Sequence, residues 1–382
     1  MIPIYKPWMD EREAQATQRP ILAGWVTQGP EVAAFESEFA TYVGAQQAVA
    51  VANCTVALHL ALHLAGIAPG DEVLTVSHSY IATANSVRYM GATPVFVDIE
   101  SETFNLDPLA LDGLFSPRCK AVLVVHQIGM PADLGRILPW ARSRGLVVIE
   151  DAACAVGSEI LWQGTWQKIG RPHGDVACFS LHPRKLLTTG DGGMMTFATS
   201  QWAQRARLLR QHAMSVPDTV RHASPTVVFE SYPEVGFNYR LTDIQAAMGR
   251  VQLERLPDLL EHRRQQVRWY RERLAALPIQ WQTQPDWARS NWQSLAIRLP
   301  VGQQQRRWMQ ELLDRGVSTR RGIMCAHREA AYPQGSWRGD SLVQSERAQD
   351  EVLLLPLYHE LSEVEMEQVA QALEAVCQCF RS

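Results

Sequence analysis

The sequence of 382 residues is 46% hydrophobic and 20% charged, a composition typical of a globular protein with a large core. Its formal net charge of −4 excludes the overall positive field that draws proteins to nucleic acid, so we expect no nucleic-acid partner. The most apolar stretch, residues 48–68, contains Asn53, Thr55, His59 and His63 and is too polar to span a membrane, so we expect no membrane partner either.

Short apolar runs alternate with helical patterns through the first two-thirds of the chain. The runs predict strands at residues 48–51, 72–76, 94–98, 121–125, 146–151, 175–180 and 193–197. Helical patterns lie between several of them, for example at residues 55–64 and 132–144. Because the strands are apolar almost throughout, we predict an α/β fold whose mainly parallel sheet is covered on both faces.

The pattern changes after about residue 252. A long charged helix is predicted over residues 253–277, followed by a more polar segment and then an amphipathic helix over residues 363–380. We therefore predict a large domain at residues 1–252 and a smaller C-terminal α+β domain at residues 253–382.

Two predicted strands end in residues suited to binding a ligand, and ligands of such sheets lie at the carboxyl ends of strands. The first strand leads through Asn53 and Cys54 to a helix whose N-terminus, at Thr55, suits a phosphate, although a threonine there is also an ordinary helix cap. Asp151 ends a strongly apolar strand, where a carboxylate is costly without a partner. That partner could be a protonated pyridine nitrogen, a salt bridge or a helix end.

Lys185 lies between the strand ending at Ser180 and a glycine-rich turn at residues 190–193. The only other lysines are Lys6, Lys120 and Lys168, so few amines could form a Schiff base, and arginine cannot do so because its guanidinium stays protonated. In this setting we expect a depressed pKa for Lys185, although a surface lysine is the ordinary alternative.

In the combination and order of these motifs, the sequence resembles the DegT/DnrJ/EryC1/StrS family of aminotransferases that depend on pyridoxal phosphate (PLP) and act mostly on nucleotide-linked keto-sugars. The matching segments are residues 24–30, 53–58, 69–73, 91–98, 150–153, 180–193, 236–243 and 355–357. The resemblance implies the aspartate-aminotransferase fold (fold type I) and a homodimer with active sites at the subunit interface.

The resemblance also implies roles for single residues. Lys185 would bind PLP as a Schiff base, and Asp151 would pair with the pyridine nitrogen. Tyr80 would stack on the cofactor ring, with a core aromatic as the plain alternative. The cofactor's phosphate would lie against Cys54, Thr55, Val56 and Ser180, and against Asn238 of the partner subunit.

Two positions differ from the usual family pattern. Cys154 stands where many members have Gln or His beside the phenolic oxygen of the cofactor, and Asn53-Cys54-Thr55 replaces the common Ser-Gly-Thr. Lys185 itself is present. This separates the chain from relatives in which histidine replaces the lysine and dehydration replaces transamination.

The predicted reaction is an amino transfer from an amino acid, glutamate in most of the family, to a keto-sugar, with Lys185 moving the proton between the donor's α-carbon and the cofactor. The candidate substrate-binding residues are Trp25, Thr27, His182, Arg320, Arg321 and His327. The arginines could instead face solvent, and the histidine could be structural. A keto-cyclitol acceptor, or a regulator with the same fold, remains an alternative.

The seven cysteines lie mostly in apolar stretches, which favours a reducing compartment over a disulfide framework. Residues 1–7 lack the pattern of a signal peptide, so we expect a cytoplasmic protein. Cys377 and Cys379 lack a second pair at zinc spacing, and no metal site is expected.

Overall fold

The computed structural model of the protein describes residues 1–380, with the backbone alone at residues 218, 219 and 223. Its α-helices are α1 (Glu11–Leu22), α2 (Pro30–Val43), α3 (Cys54–Leu64), α4 (Ala82–Tyr89), α5 (Leu111–Leu114), α6 (Leu134–Arg142), α7 (Ser200–Leu209), α8 (Asp218–Ala223), α9 (Asp243–Arg273), α10 (Gln305–Asp314), α11 (Val343–Glu351) and α12 (Glu363–Cys379). Within these residues, no helix is long and apolar enough to cross a membrane.

The β-strands belong to three sheets. They are β1 (Ala48–Val51), β2 (Glu72–Val76), β3 (Thr93–Val97), β4 (Cys119–Val125), β5 (Val147–Asp151), β6 (Glu159–Trp162), β7 (Thr165–Lys168), β8 (Val176–Ser180), β9 (Gly193–Phe197), β10 (Gln280–Trp281), β11 (Ala288–Arg289), β12 (Leu295–Arg298), β13 (Arg320–Arg321), β14 (Arg338–Gly339) and β15 (Val352–Leu355). The predicted strands of the first two-thirds of the chain are all present, with ends within two residues of the prediction.

The largest sheet has eight strands in the order β1-β9-β8-β5-β4-β2-β3-β14. The strands from β8 to β14 run parallel, whereas β9 is antiparallel to both of its neighbours. The predicted α/β class with a mainly parallel sheet is confirmed. Since β1 lies antiparallel to β9, it runs in the same direction as β8, so the carboxyl ends of β1, β2, β4, β5 and β8 all meet at one edge.

The smaller unit contains a four-stranded antiparallel sheet in the order β10-β12-β15-β13. Helix α12 and the second half of α9 contribute to a separate apolar cluster with this sheet, in which Tyr270, Leu295 and Val369 are buried. The first residues of the chain join the same cluster, because Ile2 forms a bridge with Val317.

The boundary predicted at residue 252 falls inside α9, which is one continuous helix of 31 residues. The helix was predicted to begin at residue 253, but it begins ten residues earlier, where Thr242 and Gln245 form a capping box. In addition, β14 returns from the C-terminal part of the chain to the edge of the large sheet. The division at residue 252 therefore stays a prediction.

Candidate active site

Lys185 lies half-buried in the loop between β8 and β9, residues 181–192, which we call the lysine loop. Its Nζ donates a hydrogen bond to Sγ of Cys154, 3.0 Å away. Burial lowers the pKa of Lys185, but the charge of Cys154, the hydrogen bond to it and the charge of Asp151 together outweigh burial and raise the pKa above its ordinary value. The depressed pKa expected from the sequence is therefore wrong, because the sequence did not show that the thiol of Cys154 lies against the amine.

Asp151 is the last residue of β5 and is 4% exposed. Its Oδ2 accepts a hydrogen bond from the hydroxyl of Thr83 at 2.7 Å, and its Oδ1 accepts one from the backbone N–H of Ala153 at 3.1 Å. Burial still raises the pKa of Asp151, and these two hydrogen bonds and the charge of Lys185 only partly oppose the effect. The buried carboxylate thus lacks part of the compensation that a cationic partner would give.

Thr83 is a residue of this site that the sequence did not identify. Since its hydroxyl donates to Asp151, it accepts the hydrogen bond that joins it to Ser79 Oγ at 2.7 Å. Next to Ser79, the side chain of Tyr80 is 67% exposed, so the alternative of a core aromatic is wrong. Through Thr83, the segment that carries Tyr80 is tied to Asp151.

Thr55, Cys54 and Val56 lie in the first turn of α3, close to the carboxyl end of β1. The side chain of Asn53 caps the helix by accepting from the N–H of Val56 at 3.0 Å, so this donor is engaged. Cys54 is buried in the main apolar cluster, and burial raises its thiol pKa. Thr55 is half-buried and keeps its hydroxyl at the helix N-terminus.

Gly193 packs closely against this turn and lies next to Ser180. In the large sheet it pairs with Val51 on one side and with Ser180 on the other. A Cβ at this position would lie 2.6 Å from backbone atoms of Asn53, closer than real side chains approach. Because Gly193 has no side chain, this close approach is possible, and it brings the half-buried Ser180 on the neighbouring strand near the N-terminus of α3, an arrangement suited to a phosphate.

Asn238 is exposed, and its backbone forms a bridge with Gln211. The segment that precedes it in the chain carries large apolar side chains with high exposure: Val227 at 84%, Phe229 at 89% and Val235 at 85%. The contact of Asn238 with the cofactor of a partner subunit concerns a second chain and stays a prediction.

The candidate substrate residues lie in four places. Trp25 and Thr27 precede α2, where Trp25 Nε1 donates to the carbonyl of Gln28 at 3.1 Å and the carbonyl of Thr27 accepts from Asp243. His182 is exposed in the lysine loop. Its Nδ1 accepts from the N–H of Arg184 at 3.2 Å.

Arg320 and Arg321 form β13 and are exposed. Burial lowers the pKa of Arg320, and so do the positive charges of Arg184 and Arg321, while the charge of Tyr80 opposes them. Arg184 from the lysine loop and the two arginines of β13 are therefore close enough to repel one another, on the side of the site where Tyr80 lies. Such a group of cations attracts an anion.

His327 is engaged at both ring nitrogens. Its Nδ1 lies 2.6 Å from the hydroxyl of Ser77, and its Nε2 lies 3.0 Å from Oε1 of Glu346. Nε2–H donates to Glu346, because an ionised carboxylate only accepts, and the Ser77 hydroxyl also accepts the backbone N–H of His327 at 3.1 Å. This arrangement ties the end of β2 to α11 and corresponds to the structural alternative for His327.

Glu150 and His126 form a second pair that sequence reasoning missed. Both are fully buried, and Glu150 accepts from His126 Nε2 at 3.0 Å and from the N–H of Gly174 at 2.7 Å. Burial alone would raise the pKa of Glu150. The hydrogen bonds and the neighbouring histidines lower it by more than burial raises it, so the pKa lies below the ordinary value. The pair fixes the ends of β4 and β5 directly behind Asp151. Its sequence signal was a glutamate inside an apolar strand.

The residues brought together here fit PLP: an amine, a buried carboxylate short of a cation, an exposed aromatic ring and a cradle for phosphate. Among residues 1–380, no group of three or more His, Cys, Asp or Glu side chains could hold a metal ion.

Comparison with known proteins agrees with this arrangement. The model of the DegT/DnrJ/EryC1/StrS aminotransferase family matches residues 7–374. GDP-perosamine synthase of Caulobacter vibrioides is 44% identical over 277 residues, 72% of this chain and 71% of that protein. The spore coat polysaccharide biosynthesis protein SpsC of Bacillus subtilis is 39% identical over 277 residues, 72% of this chain and 70% of its own. The solved structure of the aminotransferase TlmJ from Streptoalloteichus hindustanus has a TM-score of 0.91 at 32% identity, covering 100% of both chains.

Proposed function

The chain belongs to the DegT/DnrJ/EryC1/StrS aminotransferase family, whose members are PLP-dependent enzymes, and we propose that it transfers an amino group from L-glutamate to a nucleotide-linked keto-sugar. The observation that carries the proposal is the contact between Lys185 Nζ and Cys154 at the end of the strand that carries Asp151. The relatives named for perosamine and spore coat polysaccharide support a sugar as the acceptor and amino-sugar biosynthesis as the context.

In this proposal, bound PLP supplies a ring that withdraws electrons from the reacting carbon. Lys185 is the covalent anchor, and its released amine takes and returns the proton, since it is freed where the proton must move. Asp151 keeps the ring nitrogen protonated, and the nitrogen in turn provides the positive charge that this buried carboxylate lacks. Thr55 and Ser180 bind the phosphate on either side of Gly193.

The substrate side of the proposal rests on charge. Arg184, Arg320 and Arg321 are suited to the diphosphate of a nucleotide-linked sugar or to the carboxylate of the amino donor. Trp25, Thr27 and His182 remain candidates for contacts with the sugar. His327 contributes indirectly, by holding the end of β2 in place.

We further propose a homodimer in the cytoplasm. The exposed apolar side chains in the segment that precedes Asn238 support an interface there, since exposed apolar surface often marks contacts with other molecules. Asn238 would then reach the cofactor of the partner subunit.

The test is a pair of half-reactions. PLP-loaded protein is mixed with L-glutamate, and the loss of the cofactor's visible absorbance is followed together with the release of 2-oxoglutarate. The product is then offered GDP-, UDP- and dTDP-linked keto-sugars and, separately, keto-cyclitols. We expect return of the absorbance with at least one nucleotide-linked sugar. Return with cyclitols alone would favour the cyclitol alternative.

Lys185→Arg is the matched variant for this test, because it keeps the positive charge but removes the amine that can form a covalent link. Its turnover should fall by several orders of magnitude, and borohydride should no longer attach the cofactor to the protein. Normal turnover by Lys185→Arg would contradict the assignment.

A further inference from the structure

The backbone around Lys185 is held by two side chains that come from outside the large sheet. The amide Nε2 of Gln293 donates to the carbonyl of Arg184 at 2.6 Å, and its Oε1 accepts from the N–H of Leu186 at 3.2 Å. The hydroxyl of Tyr5 donates to the carbonyl of Lys185 itself at 2.6 Å. Three consecutive residues of the lysine loop therefore each have one peptide group fixed by a side chain more than 100 residues away in sequence.

The turn that carries Gln293 also holds the loop of Cys154. Nδ2 of Asn291 donates to the carbonyls of Cys154 and Val156, both at 2.8 Å, and its Oδ1 accepts from the N–H of Gln293 at 2.9 Å. Between them, Trp292 has a φ of 52°, in the left-handed region that non-glycine residues seldom adopt. The turn thus sets the lysine loop and the end of β5 relative to each other.

Arg263 in α9 connects this turn to Tyr5. It is 1% exposed, and its Nη1 donates to the carbonyls of Trp292 and Gln293 at 2.9 and 3.2 Å. Its guanidinium lies 5.6 Å from the centre of the Tyr5 ring. A buried cation is costly without partners, so Arg263 depends on these two carbonyls and holds the turn in place through them.

We propose that Tyr5, Gln293 and Arg263 are positioning residues for Lys185. They fix the peptide groups of residues 184–186, so the amine moves only by rotation of its own side chain. It therefore returns to the same point beside Asp151 after each release. Precise placement of a reacting group is worth large factors in rate, and a misplacement of about 1 Å costs about 100-fold. This inference rests on the proposed role of Lys185. It means that the smaller unit and residues near the start of the chain help to position the active-site lysine.

The central test compares Tyr5→Phe with Tyr270→Phe. Both remove one hydroxyl from a tyrosine that contacts the smaller unit's apolar cluster, but the hydroxyl of Tyr270 is buried and has no hydrogen-bond partner among the described residues. For Tyr5→Phe we expect the glutamate half-reaction to slow about tenfold, and the pH at which the bound cofactor's absorbance changes to shift. Tyr270→Phe should keep the wild-type rate and titration. Thermal unfolding of both variants measures separately the stability that Tyr5→Phe loses with its hydrogen bond.

Gln293→Met gives a second readout that needs no cofactor. Methionine has a similar shape but cannot accept the N–H of Leu186, so hydrogen exchange at this amide should accelerate at least tenfold in the cofactor-free protein. Exchange in α3 and β4 should stay unchanged. This variant also keeps the proposal testable if Tyr5→Phe fails to fold.

The outcomes separate the two proposals. If the wild-type protein reacts with glutamate and Tyr5→Phe reacts at the same rate with the same absorbance titration, the positioning role is wrong and the hydrogen bond only stabilises the fold. Unchanged exchange of Leu186 in Gln293→Met would also overturn it. If the wild-type protein does not react, the proposed function fails, and the positioning role fails with it.

Discussion

The sharpest prediction of the structure concerns Thr83, which connects Asp151 to the segment of Tyr80. Thr83→Val replaces the hydroxyl by a methyl group of nearly the same size. The side chain is 1% exposed, so water cannot replace the lost donor to Asp151. The substitution therefore isolates the value of this hydrogen bond to the site, without a cavity and without a change of charge.

The magnitude follows from the two bonds that are lost. A hydrogen bond to a charged group contributes about 1.5–3 kcal/mol and a neutral one about 0.5–1.5 kcal/mol. Together the two bonds give a range of about 2–4.5 kcal/mol. Because Asp151 keeps its bond from Ala153, we expect the free energy of unfolding to fall by an amount in the lower part of this range, about 2–3 kcal/mol, at neutral pH in the absence of cofactor.

This loss should depend on pH in a defined direction. Burial raises the pKa of Asp151 in the folded protein above its value in the unfolded chain. The protonated side chain therefore favours the folded state fully below the ordinary pKa, and this stabilisation is lost as the pH rises through the pKa of the folded protein. Removing Thr83 raises that pKa further. The difference between the wild type and Thr83→Val should therefore be smallest at pH 4, where the lost bond to Ser79 still contributes, and grow towards pH 7.

Urea unfolding of both proteins between pH 4 and pH 7 measures the difference, and Thr75→Val is the matched control. Thr75 is also fully buried, in β2, but its hydroxyl has no partner among the described residues, so its replacement should cost nothing or stabilise the protein. If Thr83→Val is as harmless as Thr75→Val at every pH, Asp151 is not the under-compensated carboxylate described above.

Two further substitutions test neighbouring features. Gly193→Ala would place a Cβ 2.6 Å from backbone atoms of Asn53, so we expect thermal unfolding at a lower temperature and weaker PLP binding by titration. Gly113→Ala, with no atom within 4 Å, should leave both unchanged, and equal behaviour of the two variants would count against a phosphate cradle. His126→Phe removes a donor to Glu150 whose pKa is lowered, and such a carboxylate stabilises the fold above its ordinary pKa of 4.5. Urea unfolding should show a loss of at least about 2 kcal/mol at pH 7 that narrows below pH 4.5, and a loss independent of pH would refute the role assigned to Glu150.

The sequence predicted the large sheet well, because strands covered on both faces are apolar without interruption. Residues 121–125, for example, lie within β4 as predicted. It predicted α9 poorly at its start, although Thr242 and Gln245 carry the capping pattern. It did not predict β14 at all, since Arg338 and Gly339 join the sheet through backbone pairing and carry no apolar pattern.

For the site, the sequence pointed to residues next to strand ends and missed residues that reach it from elsewhere. Lys185 and Cys154 were both singled out, and the structure brings them into contact. Tyr5 and Gln293 had no motif, because a hydrogen bond to a peptide group needs only a polar side chain at the right place in space. The pKa shift of Lys185 was predicted in the wrong direction for the same reason, since that direction depends on the Sγ atom of Cys154, 31 residues away in the chain.

The pairing of the first residues with late ones has a consequence for synthesis on the ribosome. The carbonyl of Ile4 accepts from the N–H of Leu357, and Ile2 exchanges hydrogen bonds with residues 316 and 318. At about 5–20 residues per second, roughly 20–70 s pass between translation of Ile4 and of its partner. The free-energy cost of closing so long a loop grows only with the logarithm of its length. The delay is set by the rate of translation, so it remains however small that cost is. Tyr5 is thus translated long before the residues that pair with its neighbours Ile2 and Ile4.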